Sequence, residues 1–168
     1  KYCCELNADI QRKFQSRYSD ITFTAKFDQL VADSKLDAVV IATPVSTHYL
    51  LAKQALDHGK HVFVEKPMAS TVAECQHICE AAARAKTILM VGHICRFNPR
   101  FASAKREIDA GKIGKVVAIT ARRNCPAMWT KQLLEDIGPI LHTGVHDTDL
   151  MLWLTGSKVV STYAQSVN

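Results

Sequence analysis

The sequence predicts an α/β fold: part of a doubly wound parallel sheet, followed by the start of an α+β domain with an open, mainly antiparallel sheet. Three observations carry this prediction. Short unbroken apolar runs at residues 38–42, 62–64 and 88–91 read as buried parallel strands. Segments with helical periodicity separate them, which is the alternation of βαβ units with right-handed crossovers. After Gly92 the rhythm changes, and two segments alternate apolar with polar residues, as strands with one solvated face do.

Taken in order, residues 1–4 read as the tail of a strand, with Glu5 directly after it. Residues 8–18 have helical composition, with Ile10, Phe14 and Tyr18 at every fourth position, and residues 21–24 and 27–33 suggest a short strand and a short helix. The strand at 38–42 is stopped by Thr43 and Pro44; Ser46 or Thr47 is expected to cap the next helix, which runs to His58 with Gly59 as its terminator. The strand at 61–64 ends in Glu65, Lys66 and Pro67. Thr71 and Glu74 form a capping box for a helix whose face is Val72, Cys75, Ile78, Cys79 and Ala82.

A domain boundary is placed between residues 94 and 95, giving domains 1–94 and 95–168. The second domain opens with a helix at 99–110, then a strand at 115–123 in which Val117, Ile119 and Ala121 alternate with polar neighbours. Residues 124–138 read as loop, Pro139 opens a helix that runs to Thr155 and closes at Gly156, and 159–167 reads as a second alternating strand. So small a sheet is expected to gain strands past Asn168.

Composition excludes several classes. The formal charge of +5 is spread along the 168 residues without a basic block, which argues for a solvated surface and against a nucleic-acid partner. No apolar run has the length of a membrane-spanning helix and the first residues do not resemble a signal peptide, so no membrane partner and a cytoplasmic location are expected. The six cysteines include no C-x-x-C pair and read as small apolar residues of a reducing compartment.

Two features carry candidate chemistry. Lys66 follows a parallel strand, and ligands of open α/β sheets bind at the carboxyl ends of strands; a solvated loop lysine is the alternative. His142, His146 and Asp149 are spaced by four and three residues, so an α-helix puts them on one stripe. That stripe reads as solvated surface, as a zinc spacing, or as acid–base machinery for a hydroxyl group, to which histidine is suited by an ordinary pKa near neutrality. Against zinc, no glutamate follows the first histidine and Gly144 lies between the two, so no metal is expected. The first glycine is Gly59, which leaves the first third of the chain without a phosphate-binding glycine loop. Glu5 nevertheless stands where a dinucleotide-binding unit places its ribose carboxylate, with the glycine fingerprint expected about 20 residues earlier, before Lys1.

The runs D-A-V-V-I-A-T-P-V-S-T-H (37–48), G-K-H-V-F-V-E-K-P (59–67), V-G-H-I-C-R-F-N-P (91–99), G-K-I-G-K-V (111–116) and G-V-H-D-T-D (144–149) resemble, in order and spacing, the Gfo/Idh/MocA family of NAD(P)-dependent dehydrogenases. The resemblance implies an N-terminal Rossmann domain and a C-terminal α+β domain with the substrate site. It places Glu5 on the adenosine ribose, Thr43, Pro44 and His48 along the dinucleotide, and Glu65 and Lys66 beside the nicotinamide ribose and ring. Arg96 falls at the junction of cofactor and substrate, with His142 and Asp149 on the substrate side. Lys66 and His146 are the implied catalytic pair.

The implied activity is NAD-dependent oxidation of a secondary hydroxyl of a sugar, cyclitol or nucleotide sugar. NAD is preferred to NADP because Glu5 accepts from a ribose 2'-hydroxyl and repels a 2'-phosphate, with no arginine beside it. Many members of the family carry aspartate where His142 stands, which leaves a non-catalytic dinucleotide-binding or interaction protein of the same fold as the alternative. A homo-oligomer is expected of the full-length protein. In a strand order of 3-2-1-4-5-6 the strand expected before Lys1 is central, so residues 1–168 alone are expected to have an interrupted sheet, no pyrophosphate cradle, weak NAD binding and no activity.

Overall fold

The structure, a computed structural model, describes residues 1–124 and 138–165. It divides into two compact units, Lys1–Val91 and Gly92–Asn168. The first contains β1 (Tyr2–Cys4), α1 (Ala8–Gln15), β2 (Thr22–Thr24), α2 (Phe27–Ala32), β3 (Ala38–Ile41), α3 (Val45–Asp57), β4 (His61–Val64), α4 (Val72–Ala85) and β5 (Leu89–Val91). Every strand pair is parallel. The strands form two sheets, β1-β2 and β3-β4-β5.

In the larger sheet β4 is central, and its register aligns Val40 with Phe63 and Phe63 with Met90. Alternate residues Val39, Ile41, Val62 and Val64 are buried against Ala52, Ala55 and Leu56 of α3 and Ile78, Ala81 and Ala82 of α4. Leu56 and Ile78 are fully buried, and each such side chain stabilises the fold by about 1.5–3 kcal/mol. The unbroken apolar runs predicted strands covered on both faces. Among the described residues one face is covered: α3 and α4 both pack on the Val39 side, and Val40 remains 72% exposed.

The capping box forms as the sequence indicates: Glu74 N donates to Thr71 Oγ1 at 3.2 Å and Thr71 N donates to Glu74 Oε2 at 3.0 Å. The start of α3 differs. It begins at Val45 directly after Pro44, and neither Ser46 nor Thr47 caps it. The Thr47 hydroxyl instead donates back to Pro44 O at 2.8 Å, so it is spent inside the first turn. At the other end His58 closes α3 and Gly59 turns the chain with φ +71°, which a residue without Cβ adopts cheaply.

The second unit opens with a 3-10 turn (Ile94–Phe97) and α5 (Pro99–Asp109), capped by Asn98 with Pro99 in its first turn. The helix expected from Pro139 to Thr155 winds in two ways: a π turn over Ile140–Gly144, then α6 over Val145–Thr155. Both the 3-10 turn and α5 pack on α6. Residues 115–123 and 159–165, expected as strands, form no ladder among the described residues, and Val117 and Val160 are exposed. Alternation names the face a strand would bury, but a strand exists only where a neighbour takes its N–H and C=O groups. Residues 125–137 of the expected loop and 166–167 of the expected second strand lie outside the described residues.

Candidate active site

The carboxyl ends of β1, β3 and β4 carry the candidate cofactor residues. Glu5 follows β1; its Oε1 accepts from Asn7 N at 2.9 Å, and its backbone carbonyl accepts from the Gln11 side chain. The turn therefore holds the carboxylate at the strand end, half-buried.

After β3, Thr43 and Pro44 are exposed, and the threonine hydroxyls lie 2.7 Å apart. Since the Thr47 hydroxyl donates to Pro44 O, Thr43 is the donor of that pair. After β4, Glu65 and Lys66 are half-buried; Glu65 N donates to Ile41 O at 2.9 Å, and Glu65 Oε2 accepts from Lys66 N at 3.1 Å. The Lys66–Pro67 peptide is cis.

His48 sits differently from the position along the dinucleotide that its motif implies. It is 1% exposed, with Nδ1 2.8 Å from Pro67 O and Nε2 2.8 Å from Thr43 O. Either neutral tautomer donates one of these bonds, and the ring carrying hydrogen on both nitrogens donates both. The ring thus faces two backbone carbonyls, one from each turn, rather than solvent. A sequence signal for this was present: Val45, His48, Ala52 and Ala55 lie at helical spacing on the buried stripe of α3.

In the second unit Asp149 is buried and receives Arg96 through both oxygens, Nε to Oδ2 at 2.9 Å and Nη2 to Oδ1 at 2.5 Å. Arg96 also stacks over Trp153, its guanidinium carbon 5.8 Å from the ring centroid. The carboxylate hydrogen bonds stabilise the cation and raise the arginine pKa. Asp149 therefore turns toward Arg96 rather than standing on a solvated stripe, because a buried carboxylate without a partner is costly. His93 joins the cluster, Nε2 3.7 Å from Asp149 Oδ1. Burial lowers its pKa below the ordinary value, and the nearby Asp149 carboxylate opposes that shift.

His146 lies in the first turn of α6, and His142 lies in the π turn before it. A π turn closes over one more residue than an α turn, so the helix winds differently around His142 than around His146. Asp147 beside His146 accepts both Arg123 Nε at 2.6 Å and Nη2 at 2.7 Å, and the guanidinium lowers its pKa. The sequence reading missed His93, Trp153, Arg123 and Asp147. Their pairings join residues far apart in the chain, and no local spacing announces them.

Residues 6–93 match the family described as an oxidoreductase family with an NAD-binding Rossmann fold, and residues 101–168 match the GFO/IDH/MocA C-terminal domain. The chain belongs to the GFO/IDH/MocA family. Among the relatives of this GFO/IDH/MocA chain, inositol 2-dehydrogenase 1 of Saccharopolyspora erythraea is 34% identical over 145 residues, 84% of this chain and 42% of that protein. The scyllo-inositol 2-dehydrogenase (NAD(+)) of Bacillus subtilis is 34% identical over 134 residues, 79% of this chain and 39% of that one. The crystal structure of apo scyllo-inositol dehydrogenase from Lactobacillus casei matches with a TM-score of 0.82 at 28% identity, covering 93% of this chain and 46% of that chain. This chain thus spans about two fifths of the length of the curated relatives it matches. NAD is the cofactor of the domain family to which residues 6–93 belong. Among the described residues no helix is long and apolar enough to cross a membrane.

Proposed function

We propose that the full-length protein is an NAD-dependent dehydrogenase that oxidises a secondary hydroxyl of a polyol, with a cyclitol of the inositol type as the favoured substrate class and sugars or nucleotide sugars as the wider one. The observation that carries this reading is the Glu65–Lys66–Pro67 turn at the carboxyl end of the central strand β4 of a parallel sheet, where such sheets bind ligands. The names of the relatives, inositol dehydrogenases, support the cyclitol. The first domain, 1–94, holds the cofactor; the second, 95–168, opens the substrate and oligomer domain of a cytoplasmic homo-oligomer.

The residues fit the cofactor in chemistry. Glu5, held by its turn, would accept from the adenosine ribose hydroxyls and favours NAD over NADP. The exposed Thr43–Pro44 turn would lie along the dinucleotide, and Glu65 and Lys66 would flank the nicotinamide ribose and ring. His48, buried behind that turn, acts on the cofactor only through the two carbonyls it faces.

NAD, when bound, supplies the acceptor for the hydride that leaves the substrate carbon. The His146 imidazole takes the hydroxyl proton as the carbonyl forms, and the Lys66 ammonium donates to the substrate oxygen, stabilising the charge that develops there. Arg96, fixed by Asp149 and Trp153, presents its remaining donors at the cofactor and substrate junction, and His142 contributes to the substrate side.

The test is steady-state NAD reduction by the full-length protein with a panel of inositols and sugars, repeated for Lys66→Ala and His146→Ala. Turnover on a polyol that falls at least about a hundredfold in each variant supports the reading. Turnover undiminished in either variant removes that residue from the catalytic pair, and wild-type protein inert toward every polyol refutes the substrate class.

A further inference from the structure

Among the described residues, the most deeply buried polar side chain of the first unit lies at the edge of the cofactor turns. His48 is 1% exposed, and its two ring nitrogens each approach a backbone carbonyl at 2.8 Å: Thr43 O, at the end of β3, and Pro67 O, just past Lys66. No rotatable bond lies between Nδ1 and Nε2, so the ring sets the separation of those carbonyls as a rigid spacer. Removing it takes away both the ring N–H donor and the rigid body between these carbonyls, of which Pro67 O belongs to a buried residue.

The consequences fall on Lys66. Pro67 fixes its own φ through its ring, and its carbonyl lies 2.8 Å from His48 Nδ1. On the other side the Lys66 N–H is held by Glu65 Oε2. Both ends of the short backbone stretch carrying the lysine are therefore tied, one to β4 through Glu65 and one to α3 and the β3 turn through His48.

We infer that His48 is a positioning residue for Lys66: seated between Thr43 O and Pro67 O and donating a hydrogen bond to one of them, its rigid ring spaces the two turns and sets the lysine against the exposed Thr43–Pro44 turn that lies along the dinucleotide. The inference rests on the catalytic role proposed for Lys66. It accounts for a histidine on the buried stripe of a helix whose other buried members are Val45, Ala52, Ala55 and Leu56, at the carboxyl end of the sheet rather than in the centre of the core.

The experiment is a double-mutant cycle on the full-length protein: His48→Leu and His48→Gln, each alone and combined with Lys66→Ala, with kcat and the KM of the polyol measured for each and folding checked by thermal unfolding. His48→Leu removes the donors at similar bulk. His48→Gln keeps two N–H donors on its amide and supplies a folded variant if the leucine one precipitates. The expected result is a kcat loss of about tenfold for His48→Leu with KM little changed, a smaller loss for His48→Gln, and a loss below about twofold for either once Lys66 is alanine, since residues that act as a unit are not additive. A residue that only supports the fold lowers the melting temperature and multiplies kcat by the same factor in both backgrounds. Equal factors, or folded His48 variants with full kcat, overturn the inference while leaving Lys66 catalytic. Full turnover in Lys66→Ala alone refutes the role of the lysine, and the positioning role falls with it.

Discussion

Arg96 grips Asp149 with two parallel hydrogen bonds, Nε to Oδ2 and Nη2 to Oδ1, across 53 residues of sequence. The Asp149 side chain is 8% exposed while that of Arg96 keeps 41% of its surface, so the two ends of the pair differ in what their loss costs. Asp149→Asn leaves a cation that water can partly rehydrate. We therefore expect about 1–2 kcal/mol of destabilisation, below the 3–5 kcal/mol typical of breaking a fully buried pair. Because Arg96 loses its bidentate anchor, kcat/KM for the dehydrogenase activity proposed above should fall by roughly tenfold in the full-length protein, equivalent to about 1.4 kcal/mol. Urea unfolding and steady-state kinetics on the same preparation check both numbers, and unchanged kcat/KM would detach the pair from the site.

His93 gives a pH signature. Its pKa is lowered on folding, chiefly by burial, from an ordinary 6.5. Below 6.5 the unfolded chain takes up a proton that the folded chain resists, so this residue makes stability fall as pH drops from 6.5 toward its folded pKa and adds nothing above 6.5. His93→Gln, which does not titrate, should flatten that part of the curve. Urea midpoints measured through the weakly acidic range on both proteins decide it: parallel curves would mean that His93 is not the group responsible.

The sign is opposite for Asp147. Arg123 lowers its pKa from 3.8, so the pair stabilises the folded state above 3.8 and that contribution is lost as pH falls through the folded pKa. Arg123→Met should cost about 1 kcal/mol at neutral pH, since both side chains keep part of their solvent. The difference from wild type should shrink as the solution is acidified below 3.8. A difference that stays constant with pH would assign the loss to packing of the arginine stem instead.

The strands were legible because β3 and β4 are apolar runs bounded by residues that stop strands, Asp37 and Thr43 around one, Gly59 and Pro67 around the other. The start of α4 was legible because a capping box is a local pattern whose two side chains, three residues apart, satisfy each other's backbone N–H. What failed was whatever depends on distant chain. The alternation at 115–123 names a face but not the neighbour that would make it a strand. The π turn at Ile140–Gly144 has no spacing signature of its own, so the sequence reads one uniform helix from Pro139 to Thr155 where the structure winds in two ways. His48 is the intermediate case: its motif placed it along the dinucleotide although its spacing with Val45, Ala52 and Ala55 is that of a buried stripe, and only the folded turns reveal the two carbonyls it faces.

The capping box at α4 offers a test of how local stability reaches the site. Thr71 accepts from Glu74 N while Glu74 accepts from Thr71 N and also from Ser70 N at 3.1 Å, so two backbone donors ahead of the helix and one in its first turn depend on two side chains. Thr71→Ala removes one acceptor and should cost about 1 kcal/mol. Glu74→Ala removes the acceptor of two donors and an anion from the first turn, where the helix dipole favours it, so its cost should be the larger, about 1.5 kcal/mol. The double variant should cost less than the sum, because once the box is opened the first turn frays and the second deletion removes a bond already lost. Denaturant unfolding of the four proteins settles it; strict additivity would mean that the two side chains cap independently. Either way Ile78, fully buried one turn further along α4, stays packed on the sheet, so the losses remain far below the 2–5 kcal/mol expected of Ile78→Ala.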